Sequence, residues 1–164
     1  MFTRPRKTSH AFRSLPPNKG ISMFHTVVVG ADDSQTARQA VVAAADIARM
    51  SGASLVIVTA YDPKSVRLDD LPPELRLSTA VHPADQLLRS LAAVGQERGL
   101  AVSVEAVTGS PVDAVVKVAE QTHADLIVVG NKGMKGTRRV LGSVPNSIAH
   151  HASCSVLIVD TTDV

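Results

Sequence analysis

The sequence has little that would make it a membrane protein, a disulfide-bonded protein or an aromatic nucleic-acid binder. It contains no tryptophan, one tyrosine and one cysteine, Cys154. A single cysteine excludes an intrachain disulfide and suits a reducing compartment. No apolar run approaches the ~20 residues of a membrane span, and the N-terminus lacks the apolar centre of a secretory signal. We therefore expect a cytoplasmic protein that does not stack successive bases on aromatic side chains.

The positive charge is concentrated near the N-terminus. Residues 1–22 hold five basic residues and no acidic one, whereas the remainder holds 12 basic and 15 acidic residues. This Arg-, Ser- and Pro-rich segment is predicted to be a disordered arm. Translation that starts at Met23 would remove it; the alternatives are an arm that touches nucleic acid or acidic lipid, and a transit peptide. The charge of the remainder gives little support for a nucleic-acid partner.

The rest of the chain alternates between Val-rich and Ala-rich stretches, as in a parallel sheet covered by helices. Strands are predicted at 25–30, 53–60, 101–107, 124–130 and 153–160, with helices at 35–50, 84–98 and 111–122 and a short one that ends near 151. This order predicts a five-stranded doubly wound parallel sheet with helices on both faces, Rossmann-like, with strand order 3-2-1-4-5. The long polar connection from Tyr61 to Thr79 is typical of a lid or a disordered loop.

A glycine-rich, basic stretch follows the fourth strand, from Val128 to Ser147. Its glycines and cations are Gly130, Gly133, Gly136, Gly142, Lys132, Lys135, Arg138 and Arg139, and no acidic residue lies between Asp125 and Asp160. Glycines let backbone N–H groups approach a ligand, and Ser143 is a candidate N-cap of a helix whose N-terminus favours an anion. The stretch therefore predicts a phosphate-binding turn, and glycines that only shape a tight surface turn are the alternative.

The stretch is neither a Walker A loop nor a dinucleotide fingerprint. Lys135 is followed by glycine rather than by Ser or Thr, and the first strand turn carries Asp32 and Asp33 instead of Gly-x-Gly spacing. Two acids there repel a pyrophosphate but suit ribose hydroxyls or a cation. Because ligands of such sheets bind at the switch point beyond the carboxyl ends of the strands, we predict a nucleotide. Its sugar would lie near Asp32 and its phosphates near Gly130, Gly133, Gly142 and Ser143.

At these positions the chain resembles the universal stress protein family. The resemblance rests on Val27–Ser34, on Gly130-Asn131-Lys132-Gly133, on Gly142-Ser143-Val144 and on Val156–Val159, and it covers about residues 25–160. The ATP-binding branch of that family carries Gly-x2-Gly-x9-Gly-Ser/Thr, and the long gap here is one residue shorter. Asp33 stands where the family often has glycine, and its charge would weaken nucleotide binding if it pointed inward.

The resemblance implies a universal stress protein domain over residues 23–164 that binds ATP and acts as a nucleotide-dependent stress sensor or adaptor. It implies cAMP as a second ligand and Mg²⁺ carried by the nucleotide. The implied site residues are Ala31, Asp32, Ala60, Val129, Gly130, Asn131, Lys132, Gly133, Gly142, Ser143, Val144 and Pro145, with Ala60 facing adenine and Asp32 near the ribose. The resemblance also implies a homodimer through antiparallel pairing of the edge strand 154–159, and a monomer is the alternative.

Catalysis is a separate question. The glycine-rich stretch has no acid that would hold a metal beside the phosphates, so we expect binding with slow or no turnover and no catalytic residue. His150 and His151 lie close to Cys154, but histidines at a helix C-terminus and a cysteine that begins an apolar strand are ordinary structural features. His25, His82 and His123 lack metal-ligand spacing with any partner. A slow ATP hydrolase on the same scaffold and a ligand-free dimeric interaction protein are the two rival hypotheses.

Overall fold

The computed structural model describes residues 22–61, 83–131 and 142–161, in which strands and helices alternate. The strands are β1 (Thr26–Gly30), β2 (Ser54–Tyr61), β3 (Val102–Thr108), β4 (Leu126–Asn131) and β5 (Ser155–Asp160). The helices are α1 (Gln35–Ser51), α2 (Pro83–Gln96), α3 (Pro111–Gln121) and α4 (Ser143–His151). All neighbouring strands are parallel, in the order β3-β2-β1-β4-β5, so the predicted fold class and strand order are confirmed.

Local sequence signals fix the starts of α1 and α3. Ser34 is the N-cap of α1, and its Oγ accepts a hydrogen bond from the Ala37 amide at 3.2 Å. Ser110 caps α3: its Oγ accepts from the Asp113 amide at 3.1 Å and donates to the Asp113 carboxylate at 2.7 Å. Pro111 follows as the first helical residue, where its missing N–H costs nothing. These side-chain bonds satisfy backbone donors that a helix start would otherwise leave open.

Most predicted boundaries agree with the structure within one residue, and three differ by two: the start of β4, at Leu126 rather than at 124, the end of α2 and the start of β5. The last two have a local cause. Helix α2 ends at Gln96 rather than at 98, because the Arg98 amide bonds to the Gly95 carbonyl and the chain turns through Gly99 at φ 73°. Strand β5 begins at Ser155 rather than at 153, because α4 extends to His151 and residues 152–154 make the turn between the two elements. All three differences lie at element ends, where the apolar pattern carries the least information.

The apolar core consists of two layers, one on each face of the sheet. On one face Val27 and Val29 pack with α1 and α2, and on the other Val28 packs with α3 and α4. This alternation follows from the two-residue period of a strand, since successive side chains point to opposite faces. The central strands β1, β2 and β4 are therefore apolar and buried, whereas the edge strands β3 and β5 are largely exposed.

Over the three described ranges, no helix combines the length and the apolar character needed to cross a bilayer. Three predicted segments lie outside those ranges: the N-terminal arm apart from Ser22, the 61–79 connection apart from Tyr61, and residues 132–141 of the glycine-rich stretch.

Candidate functional site

A cavity of about 390 Å³ opens at the carboxyl edge of the sheet, between the ends of β1 and β4. The chain leaves β1 toward α1 on one face, and α4 packs on the opposite face, so the two passages diverge and leave a crevice. The volume falls within the ~300–1,000 Å³ typical of small-molecule sites. The topology alone thus creates a ligand-sized space at the predicted place.

One wall of the cavity is apolar. It is formed by side chains from β2, β4, α3 and α4 that belong to one core layer, namely Val58, Ala60, Val115, Val129 and Ile148. Pro111, at the start of α3, extends the same wall. Such a surface suits a flat, weakly polar group, because burying it removes apolar area from water without stranding a hydrogen-bonding atom.

The turn after β1 supplies a carboxylate to the cavity. Asp32 Oδ1 accepts from the Ser34 amide at 3.0 Å and also from the Ser34 hydroxyl. These bonds fix the carboxylate at the cavity mouth, and a carboxylate has acceptor sites for further donors such as sugar hydroxyls. Asp33 is exposed and does not line the cavity, so it does not have the inward orientation that would oppose an anion.

The first turn of α4 forms the opposite side. The N-cap is Gly142, at φ −58° and ψ 155°, so the predicted N-cap role of Ser143 is wrong. The Gly142 carbonyl accepts from the Asn146 amide at 3.1 Å, which places Ser143 inside the helix as its first residue. Gly142 gives no side-chain cap, and the first turn has no acid. Such a helix start, with the positive end of its dipole toward the cavity, favours an anion.

The strand-end glycines serve packing as well as access. A Cβ at Gly130 would lie 3.0 Å from the Thr36 carbonyl oxygen, and one at Gly30 would lie 2.8 Å from Val115 Cγ2. Neither glycine has a positive φ. Both positions need glycine because α1 and α3 approach the strand ends closely. The prediction that Gly130 serves to let a ligand approach the backbone is therefore incomplete.

Nine of the twelve predicted site residues line the cavity: Ala31, Asp32, Ala60, Val129, Gly130, Gly142, Ser143, Val144 and Pro145. Asn131 does not; it is buried, and its side chain bonds to Gly142. Lys132 and Gly133 lie outside the described residues, as do Lys135, Arg138 and Arg139.

Several lining residues were not predicted: Gly30, Ser34, Thr36, Ala37, Val58, Pro111, Val115 and Ile148. Ser34 and Thr36 could have been found, because they closely follow Asp32 and Asp33 in the sequence. Pro111 and Val115 belong to the helix after β3, and only the fold brings that helix to the end of β1. No local pattern signals it.

The described residues offer few groups for metal binding or nucleophilic attack. Asp32 is the one acidic side chain among the described residues that line the cavity, and the described ranges contain no cluster of three metal-binding side chains. Burial raises the pKa of the Cys154 thiol, which disfavours the thiolate needed for nucleophilic attack. His151 Nδ1 lies 2.7 Å from the Ser147 carbonyl oxygen, at the far end of α4.

Fold and cavity together define a doubly wound α/β protein with a ligand crevice at the switch point. Residues 23–160 match the family model of the universal stress protein family. Universal stress protein Rv1636 of Mycobacterium tuberculosis is 38% identical over 147 residues, covering 87% of this chain and all of the relative. Its crystal structure superposes with a TM-score of 0.56 at 36% identity, over 87% of this chain and 99% of that one.

A second solved structure, a universal stress protein in complex with cAMP, superposes with a TM-score of 0.67 at 37% identity. The match covers 85% of this chain and 98% of that one. The chain therefore belongs to the universal stress protein family.

Proposed function

We propose that the switch-point cavity binds an adenine nucleotide, with ATP as the ligand, and that the protein acts as a nucleotide-dependent stress sensor or adaptor. The observation that carries the proposal is the joining of three chemistries in one cavity. An apolar wall, the Asp32 carboxylate and the uncapped start of α4 suit a base, a sugar and a phosphate group respectively. The cAMP complex of a relative at 37% identity supports the adenine nucleotide.

The proposed pose follows from charge and polarity. Adenine lies against Ala60 and the apolar wall, because that region offers area to bury. The ribose hydroxyls donate to Asp32, and the phosphates point to Ser143 and Val144, at the positive end of α4. The reverse pose would set phosphate against the Asp32 carboxylate, which like-charge repulsion disfavours. Lys132 and Gly133 would add to the phosphate side, but the proposal does not depend on them.

We infer that the nucleotide is held rather than consumed. Phosphoryl transfer needs a metal held near the phosphates and a positioned water. Asp32 is the only carboxylate of the described cavity lining, and the pose sets it at the sugar, so Mg²⁺ would rest on the phosphates themselves. Incubation of the protein with ATP, followed by chromatography, should return the ATP unchanged. Steady ADP or AMP production that Asp32→Asn and Ser143→Ala abolish would establish the hydrolase instead.

Calorimetry with ATP, ADP, AMP, cAMP and GTP tests the site. We expect ATP to bind wild type and not Ala60→Phe, because the phenyl ring fills the apolar part of the cavity. The matched control is Ala106→Phe, an exposed position on β3 that does not line the cavity. If wild type binds no ATP, the ligand-free hypothesis stands. If Ala60→Phe binds ATP as wild type does, the nucleotide binds elsewhere and the proposed site is wrong.

The proposed homodimer pairs two copies of β5 antiparallel. β5 is an edge strand, and such a strand presents unpaired backbone groups that a second copy can satisfy. Leu157 on this strand is 37% exposed, and Val104 on the opposite edge strand β3 is 40% exposed. Sedimentation should give a dimer that Leu157→Lys dissociates and Val104→Lys does not. A monomeric wild type, or equal effects of the two variants, would contradict pairing through β5.

A further inference from the structure

Two hydrogen bonds join the end of β4 to the start of α4 and to the end of β5. The Gly142 amide donates to Asn131 Oδ1 at 3.3 Å, and the Thr161 hydroxyl donates to the Asn131 carbonyl oxygen at 2.6 Å. Asn131 is the last residue of β4, Gly142 is the N-cap of α4, and Thr161 directly follows β5. One asparagine thus contacts both flanking elements.

The burial of this group is unusual for its chemistry. Asn131 is 1% exposed and Thr161 is 4% exposed, two of the three polar residues that are buried in the described chain. A buried amide or hydroxyl destabilises the fold unless it is hydrogen-bonded. We therefore ask which elements the bonds of Asn131 connect. The Asn131 side chain bonds to the start of α4, which lines the phosphate side of the proposed site.

The contact also defines where the glycine-rich segment begins and ends. Residues 132–141 leave from Asn131 and return at Gly142, and the bond between these two residues fixes the separation of the segment's ends. Because Asn131 does not line the cavity, its side chain acts on a ligand only through Gly142. This differs from the direct ligand contact that the motif suggests.

We propose that Asn131 is a positioning residue: its side chain holds the N-terminal turn of α4 in the orientation that receives the phosphates, and Thr161 holds Asn131. The inference rests on the proposed function and deepens it. It gives Thr161, which lies beyond the glycine motif, a part in the same hydrogen-bonded group. The adenine and ribose contacts at Ala60 and Asp32 do not depend on it, since β1 and β2 carry them.

The test compares a ligand with phosphates and one without. Calorimetry of Asn131→Leu and Thr161→Val should show an affinity for ATP about tenfold lower than wild type. A tenfold change corresponds to the free energy of one hydrogen bond. Adenosine, which has no phosphate, should bind each variant within about twofold of wild type. Hydrogen exchange by NMR should show faster exchange of the Gly142 amide in both variants, because its acceptor is removed or released.

The control is Thr122→Val. The Thr122 hydroxyl donates to the Val118 carbonyl at 2.7 Å, at the end of α3 far from the cavity, and its loss should leave both affinities unchanged. An equal loss of ATP and adenosine affinity, or no loss, overturns the inference while the proposed function stands. If wild type binds neither ATP nor adenosine, the proposed function is wrong, and so is the phosphate-positioning role of Asn131. The exchange rate of the Gly142 amide in the variants then shows separately whether Asn131 anchors the first turn of α4. Thr161→Val preserves side-chain shape, so the test survives misfolding of Asn131→Leu.

Discussion

Two passages from strand to helix meet at the cavity, and they are built differently. Between β1 and α1 the chain uses only residues 31–34, and side chains close the passage: Asp32 accepts from Ser34, and Ser34 caps the helix. Between β4 and α4 the chain uses a longer segment, and the helix begins after a glycine that gives no side-chain cap. The first passage satisfies one donor of its helix, the Ala37 amide, with its own side chain, and the second passage offers no such bond.

The backbone does not account for the difference. Ser34 lies at φ −72° and ψ 153°, and Gly142 lies at φ −58° and ψ 155°, so both N-caps are extended in the same way. The difference is the side chain. A hydroxyl at the N-cap stabilises the helix. Its absence at the start of α4 leaves the Ser143 and Val144 amides without a side-chain cap, since Pro145 has no N–H. If the proposed function is right, stability and binding are separated between two helix starts at one edge of the sheet.

Strand-end packing is shared by both passages and should give the largest effect. Gly130→Ala sets a Cβ 3.0 Å from the Thr36 carbonyl oxygen, a backbone atom that moves only with α1. We expect a loss of about 1–3 kcal/mol in the free energy of unfolding, measured with urea. Gly30→Ala should cost less, since the 2.8 Å contact is with the Val115 side chain. An unchanged stability in Gly130→Ala would show that the close approach of α1 is not tight.

The opposite ends of β1 and β4 are joined by a carboxylate. Asp125 Oδ2 accepts from the amides of His25 and Thr26 at 2.6 and 2.9 Å. These backbone hydrogen bonds, His25 first, hold the pKa of Asp125 below its ordinary value, and the His25 ring at 3.6 Å adds a smaller effect in the same direction. The carboxylate therefore stabilises the fold above its unfolded-state pKa, and that stabilisation is lost as the pH falls through the lower folded-state pKa.

Asp125→Asn should lower the free energy of unfolding by about 1 kcal/mol at pH 7, allowing for the partial exposure of the group. The difference from wild type should stay constant down to about pH 5 and shrink below about pH 4. Urea unfolding across this range measures it. Asp33→Asn on the exposed turn is the control and should change stability by less than about 0.5 kcal/mol at each pH. A gap between Asp125→Asn and wild type that does not narrow in acid would contradict the assignment to Asp125.

The two serines at the helix starts should separate stability from binding. Ser34→Ala removes an N-cap and should cost about 1 kcal/mol of unfolding free energy. Ser143→Ala removes no cap, so its cost should be less than about 0.5 kcal/mol, while the affinity for ATP should fall about tenfold. Denaturant unfolding and calorimetry on the same preparations measure both quantities. Equal stability losses would mean that Ser143 does cap α4 in solution.

The fold was predictable because its signals are local. The alternation of apolar residues fixed the strands, and the Ser110-Pro111-x-Asp113 pattern fixed the start of α3 before any tertiary contact was known. The place of the cavity followed from the crossover rule, since β1 and β4 had to meet with helices on opposite faces.

The walls of the cavity were less predictable, because distant residues make them. Pro111 and Val115 reach the end of β1 only through the path of α3, and Gly130 needs its hydrogen only because Thr36 lies against it. Asn131 looks in sequence like any polar residue of a glycine-rich loop. Its burial against Gly142 depends on the relative placement of β4 and α4. These roles depend on how distant elements pack across the sheet, and local sequence patterns do not show that packing.

Gly142→Ser gives the second passage a hydroxyl at the N-cap and should give the smallest change in stability. The third residue of α4 is Pro145, which has no N–H, so this hydroxyl can accept only from the Val144 amide and not from the third-residue amide that Ser34 and Ser110 use. The backbone at Gly142 already has the dihedral angles of the two serine N-caps, and a Cβ would make only ordinary contacts, the nearest at 3.5 Å. We expect a gain of a few tenths of a kcal/mol in the free energy of unfolding. The new hydroxyl would take the Val144 amide from the ligand, so ATP affinity should fall at least about threefold by calorimetry. A variant that is more stable and binds ATP as tightly as wild type would mean that the N-terminal amides of α4 do not hold the phosphates. Other residues of the cavity lining would then have to bind the phosphates, and the missing cap at Gly142 would have no role in binding.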